Sequence, residues 1–393
     1  MTTINTPTPT GPTVTEPVTS APPEVRRGPG RLTVDLLERA GVPVFLVLLI
    51  ILFSLLPAIS DLFRSEANIQ NVFANQSVTG LIALAMIVPL VCGYFDLSVA
   101  AVAGLANVTM AAICGTYGQP IWLGLLAAVA IAGLAGVVNG VLVAGLRLNG
   151  FIVTLGTYTL IGGLLTLYTG GQTISNGIPA SLGNWGSQQF LGIAQPFWLL
   201  LVVAIVVWYL LMQTPFGRRL EAIGSNESAA RLVGIRVDRA IFLSFLLSGL
   251  LAGIAGVLLT SRSGGADPTG GSAYLFPALA AVFLGQTAIR PGRYNVWGTI
   301  FGVFLVAVAV DGFTLLGVQS WVQPVFNGVA LVLSVAVSTY MGRVRERRAQ
   351  SAVLRAAATS SLAGIHGDTS ADVPADASET PAPATEPHAS AGR

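Results

Sequence analysis

Leu148–Gly217 reads LNGFIVTLGTYTLIGGLLTLYTGGQTISNGIPASLGNWGSQQFLGIAQPFWLLLVVAIVVWYLLMQTPFG, seventy consecutive residues without one Asp, Glu, Lys or Arg. Water-soluble proteins carry about a quarter charged residues, so a charge-free stretch of this length has lipid as its solvent. The rest of the chain agrees. Of 393 residues, 53% are hydrophobic and only 10% charged. Length alone would allow two or three soluble domains, but the apolar runs are too long and too frequent for water-soluble cores. One membrane domain is the better count.

A bilayer core takes about 20 apolar residues per helix. Runs of that kind fall at Gly41–Ser60, Val78–Gly93, Leu97–Gly115, Pro120–Ala144 and Phe151–Gly170. They continue at Pro196–Gln213, Ala240–Thr260, Ala273–Gly285 (short for a span), Val296–Leu316 and Val318–Tyr340. The expected fold is therefore an all-α polytopic membrane protein with about ten transmembrane helices. Gly133, Gly136 and Gly140 share one helical face, as expected where membrane helices pack closely.

Basic residues in short loops stay on the cytoplasmic side. Arg26, Arg27, Arg31 and Arg39 precede the first run. Counting runs, Arg147, the segment with Arg218 and Arg239, Arg290 with Arg293, and the end with Arg343, Arg345, Arg347 and Arg348 all fall on that same side. The opposite loops hold only Arg64 and Arg262. Both termini are thus expected in the cytoplasm. Residues 1–39 read as a disordered lead without the pattern of a cleaved signal peptide. Residues 343–393 read as a basic and then disordered tail, the part from Ser351 being too poor in apolar residues to fold. The membrane domain is then 40–342.

All 20 basic residues are arginine. A phosphate-binding Walker loop needs a lysine, so any ATP hydrolysis by that route belongs to another chain. Both histidines, His366 and His388, lie in the tail, and Cys92 and Cys114 have no metal-ligand spacing. Histidine acid–base catalysis and a zinc site are not expected, and no cofactor, metal or nucleic acid is expected on this chain.

The segment 214–239, TPFGRRLEAIGSNESAARLVGIRVDR, interrupts the lipid pattern. Asn226 suits the cap of a short helix from Glu227 to Val233. Glu227 suits its first turn, Arg231 its last, and Gly234 a left-handed stop. Such a helix is either an ordinary solvated loop or a rigid element through which a partner moves both flanking spans.

The same segment resembles the coupling loop of ABC permeases of the ribose and xylose importer family. That loop carries Gly-x-Asn-x-x-Ala-Ala and then Gly-Ile; the matching residues are Gly224, Asn226, Ala229, Ala230, Gly234 and Ile235. Thr214, Gly217, Arg218 and Ala222 also look like that family. Gly93–Val99 is similar to its Gly-Gly-Ile-Asp-Leu-Ser-Val signature at Asp96, Leu97 and Ser98, and departs from it at Tyr94 and Phe95. Asn139-Gly140, Phe151 to Thr157, Ala280 to Gly285, Gly298-Thr299 and Asp311 to Gly317 extend the likeness over roughly the whole membrane domain. Where the family has a glycine-rich turn, this chain has Gln286 and then Arg290 to Tyr294.

The resemblance implies a permease that works by alternating access, paired with a second permease that is a copy or a homologue. It further implies an extracytoplasmic sugar-binding protein, and a separate ATPase, holding ATP and Mg, that presses on Glu221, Gly224, Asn226, Glu227, Ala229, Ala230 and Gly234. The location it implies is the bacterial inner membrane. A sugar path needs uncharged hydrogen-bonding groups. Candidates in the spans are Ser98 of the signature with Asn107, Asn139, Thr154, Thr157, Tyr158, Gln286 and Asn327; each is also of a type that bridges helices. Asp96 either caps the next helix or takes part in the path, and Asp311 poses the same choice. A gradient-driven carrier would use one of these two carboxylates as its ion site. Related ABC permeases for branched amino acids, nucleosides or signalling sugars share the frame. The absence of arginine between Arg64 and Arg218 other than Arg147 favours a neutral solute.

Overall fold

The computed structural model describes residues 29–319, 321–336, 339–340, 343, 350–351 and 354, with side chains from residue 40 onward. In chain order the helices begin with α1 (Pro29–Leu55), α2 (Ser60–Phe63), α3 (Glu66–Val91), α4 (Val99–Ala111), α5 (Ile121–Gly140), α6 (Gly150–Thr169) and α7 (Ala180–Ser187). A two-stranded antiparallel hairpin, β1 (Gln189–Phe190) and β2 (Ile193–Ala194), comes next. There follow α8 (Gln195–Gln213), α9 (Pro215–Ser225), α10 (Glu227–Leu232), α11 (Val237–Ser263), α12 (Leu275–Gln286), α13 (Val296–Leu315) and α14 (Val322–Ala336). α4 and α5 each end in one widened turn, Ala112–Thr116 and Val141–Gly145.

Among the described residues, seven helices are long and apolar enough to cross a membrane, and three shorter apolar helices, Ala40–Leu55, Ser272–Gln286 and Val322–Ala336, accompany them. Each apolar run of the sequence has most of its described residues on one of these helices. The helix ends follow local chemistry. Ser65 accepts from the Asn68 amide at the start of α3, and Asn149 accepts from the amides of Phe151 and Ile152 at the start of α6. Gly170 and Gly264 close α6 and α11 at φ 61° and 63°, a conformation glycine adopts without strain. Asn295 does two jobs. Its Oδ1 accepts from the Gly298 amide at 2.7 Å to cap α13, while its Nδ2 reaches the carbonyls of Gly285 and Ala288 at the end of α12.

α3, α4 and α11 form the centre, with α5 packed along α11 and α4. Lipid tails are as apolar as leucine, so close packing rather than water expulsion holds such helices together. The glycines allow it. A Cβ at Gly136 would meet the Phe245 carbonyl and Gly249, and one at Gly253 would meet Val129 and Ala132. Burial grades outward: 83% of the most apolar stretch of α3 is buried, against 22% for α6. α6 therefore faces lipid or another protein. Both cysteines are buried, Cys92 beside Ser244 and Cys114 with its sulfur where a Cβ at Gly124 would fall.

Three expectations are corrected. The lead was expected to run to Arg39, but α1 starts at Pro29, a residue suited to a first helical turn; residues 1–28 lie outside the described residues. α3 begins at Glu66 and not at Val78, because the Ser65 cap carries the helix through polar residues before its apolar core. Segment 214–239 holds two helices ahead of the start of α11 at Val237, since α9 precedes the expected one. The tail 343–393 lies outside the described residues except for Arg343, Gln350, Ser351 and Leu354, which are helical.

Candidate functional site

Two groups of expected residues come together, one at the α9–α10 end of the helices and one between them. α9 opens on Pro215 and buries Gly217, Leu220 and Ile223 against the bundle. Its end sits on the end of α3, where a Cβ at Gly224 would run into the Val91 carbonyl and Cys92. Glu221 pairs with Arg293 at 3.5 Å, which ties α9 to the connection between α12 and α13. α10 then has the expected cap. The Asn226 side chain accepts from the Ala229 amide at 2.9 Å, Ala230 is buried, and the helix stops at Gly234 with φ 82°. Beside the buried Ala230, Leu232 and Val233 project outward at 88% and 76% exposure.

A charged network holds α10 in place. Arg231 donates to Glu227 at 2.9 Å and to Asp238, at the start of α11, at 2.6 Å. Arg147, beyond the end of α5, pairs with Asp238 at 3.6 Å. These groups are all at least one-third exposed, where such pairs contribute about 0–1 kcal/mol each. They position the helix more than they stabilise it. Glu227 has a second partner, the Tyr94 hydroxyl, which donates to its Oε2 at 3.0 Å. Burial, and next the Glu227 carboxylate, push the Tyr94 hydroxyl up to about 12, so it remains a donor throughout the physiological range.

The second group lies along residues 92–98, which return from the end of α3 to the start of α4. Asp96 is buried. Its Oδ1 accepts from the Ser98 amide at 3.1 Å and the Ser98 hydroxyl at 2.6 Å, and its Oδ2 from the Ser248 hydroxyl at 2.9 Å. Asn139 Nδ2 donates to Ser98 Oγ at 2.8 Å, and Thr157 Oγ1 donates to Asn139 Oδ1 at 2.7 Å. One hydrogen-bonded series thus links α11, the 92–98 connection, α5 and α6. The Thr154 hydroxyl lies 2.8 Å from the Gly150 carbonyl and 3.2 Å from that of Phe95, and the half-buried Tyr158 follows Thr157 on α6. Apart from Asp96, every group in the series is neutral. The carboxylate meets the chain just ahead of α4, through the amide of Ser98, the residue that precedes the helix.

The remaining candidates lie elsewhere. Asn107 accepts from Thr260 at 2.7 Å and bridges α4 to the far end of α11. Asp311 accepts from Asn68 at 2.8 Å, between α13 and α3, in a cleft closed by Leu46 and Phe63. Gln286 is the last residue of α12, its carbonyl accepting from the Gly292 amide at 2.9 Å. Asn327 is buried on α14 with its Oδ1 unpartnered. Sequence reasoning missed Tyr94, Ser248 and Thr260. Ser244 and Ser248, one turn apart within the apolar run of α11, were a readable signal for the second. Among the described residues no group of three or more His, Cys, Asp or Glu is placed to hold a metal.

Residues 68–335 match the model of the family described as branched-chain amino acid transport system / permease component. The chain belongs to this family. Its relatives include a ribose import permease protein of Bacillus subtilis, 36% identical over 76% of this chain and 92% of that protein. The corresponding ribose protein of Haemophilus influenzae is 34% identical over 75% and 92%. An L-arabinose ABC transporter permease protein of Azospirillum brasilense is 33% identical over 84% and 96%. No solved structure matches the chain. This permease is a multi-pass membrane protein and a transport subunit, not an enzyme. Such a subunit works within a system whose ATP-hydrolysing and solute-binding parts are other chains.

Proposed function

We propose that this permease forms the translocation path of an ATP-driven importer for a neutral monosaccharide of the ribose type. The observation that carries the reading is the α9–α10 element. It is a pair of helices seated on the ends of α3 and α11, the second of them capped by Asn226, with Leu232 and Val233 exposed at its tip. An ATPase that engages this tip moves both spans as bodies. Glu221, Gly224, Asn226, Glu227, Ala229, Ala230 and Gly234 build the element. ATP and Mg are held by the ATPase, since this chain has no lysine for a Walker loop. The permease functions as a pair, receives sugar from a binding protein outside the cell, and places both termini in the cytoplasm. Residues 40–342 are the working membrane domain.

The polarity of the interior supports a sugar over an amino acid. Ser98, Asn139, Thr154 and Thr157 offer neutral donors and acceptors of the kind a polyol exchanges for water. An amino acid carboxylate would favour a cation within the spans, and Arg147 is instead 72% exposed beyond the end of α5. Copurification from native membranes tests the reading. The expected result is recovery of a Walker-containing ATPase and ribose uptake that needs ATP. Gly234→Val places a branched Cβ at φ 82°, which disfavours the turn by about 1–2 kcal/mol. That variant should insert normally and lose ribose-stimulated ATP hydrolysis. Uptake by the isolated chain in ATP-free vesicles would overturn the proposal in favour of a gradient-driven carrier.

A further inference from the structure

We propose that Tyr94 is a positioning residue that links the coupling helix α10 to the Asp96 connection, so that motion of α10 reaches the hydrogen-bonded series between the helices. The inference rests on the importer reading above and names a residue that reading does not use. Tyr94 is one of the two positions, with Phe95, at which Gly93–Val99 departs from the signature it resembles.

The geometry gives the side chain one route. Its ring packs edge-on to Phe245 of α11, with centroids 6.4 Å apart at 72°. On another side it meets the start of α6, where a Cβ at Gly150 would come within 3.1 Å of the ring. Held between these two contacts, the ring directs its hydroxyl to Glu227 Oε2 at 3.0 Å. Glu227 is also bonded to Arg231, so the carboxylate is fixed from the α10 side. At the other end, the Tyr94 amide donates to the Pro89 carbonyl at 3.0 Å, and two residues on, Asp96 gathers Ser98 and Ser248. A displacement of α10 therefore pulls on the backbone immediately before Asp96. The contact of Gly224 with the end of α3 acts differently, since it is a van der Waals stop that transmits only a push.

The test uses the complete importer, with permease, ATPase and binding protein in proteoliposomes and labelled ribose as the probe. Tyr94→Phe removes the hydroxyl and keeps the ring contacts. A hydrogen bond to a carboxylate is among the stronger ones, and its loss is expected to lower ribose uptake and binding-protein-stimulated kcat for ATP about ten-fold. The KM for ATP and recovery of the ATPase with the permease should stay as in the wild type. Glu227→Ala should lower uptake as well, and the double variant should be no worse than Glu227→Ala alone. Full coupled uptake by Tyr94→Phe overturns the link, as does a double variant whose losses multiply. A wild-type assembly that couples normally while Tyr94→Phe also does so refutes the link alone. A wild-type chain that recovers no ATPase refutes the importer reading on which it stands.

Discussion

Asp96 shows what a single residue reveals before and after folding. A carboxylate in an apolar stretch is costly and has a partner or a task, and the sequence shows that much without naming the partner. The partner is Ser248, which lies 152 positions away, a separation no local pattern reports. The structure also turns the capping alternative into something narrower: Asp96 bonds the Ser98 amide and spends its other oxygen on α11. Ser248→Ala is therefore expected to destabilise the folded chain by about 2 kcal/mol, because it strips a donor from a buried carboxylate. Asp96→Asn should cost less, since an amide still accepts from Ser98 and donates to the Ser248 oxygen. Thermal unfolding in detergent checks both; equal midpoints for Ser248→Ala and the wild type would remove Asp96–Ser248 from the account.

At the scale of elements, apolar runs were easy to read and helix starts were not. The described part of every run falls mostly on a helix, because a chain in lipid must satisfy its backbone internally. The start of α3 was missed by a full polar stretch, since hydropathy does not register a capped helix that continues out of the apolar region. α10 was legible to within a residue, as its cap, charges and stop are all local; α9 lacks such punctuation apart from Pro215, and was missed. Close packing was also partly legible. Gly133, Gly136 and Gly140 read as a packing face, and they meet Leu250, Gly249 and Phe242 of α11. Gly136→Leu should push α5 from α11, at a cost of about 1–3 kcal/mol or more, and lower the yield of monodisperse protein in size-exclusion chromatography. Gly183→Ala, on α7 where a Cβ meets nothing within 4 Å, should leave that yield unchanged.

For the molecule as a whole, the least buried span is also the one that carries Thr154, Thr157 and Tyr158. α6 leaves Gly156, Gly162 and Gly163 with nothing within 4 Å of a Cβ, and small residues on a lipid-facing helix suit close approach by another helix. The second permease of the proposed pair would then cover α6 and enclose the Asn139–Thr157 end of the hydrogen-bonded series. A cysteine at Gly163 should form an oxidised dimer in native membranes, since bridging needs Cα atoms within about 7 Å. One at Phe45, half-exposed on α1, should stay monomeric. The reverse pattern would move the pair to the other side of the bundle. Little of this was legible in the sequence, because lipid and a partner helix demand the same apolar composition.

The buried state of Cys92 and Cys114 has a consequence for the chemistry of the cell surface. They are the only two cysteines of the chain; Cys92 caps the end of α3 and Cys114 lies in the widened turn after α4, and both are buried. Neither buried thiol is presented to oxidants or soft metal ions, and the thirteen residues of α4, about 20 Å of helix, stand between them. Cysteine chemistry is therefore expected to leave the fold alike in an oxidising and a reducing medium, whichever side of the membrane each sulfur faces.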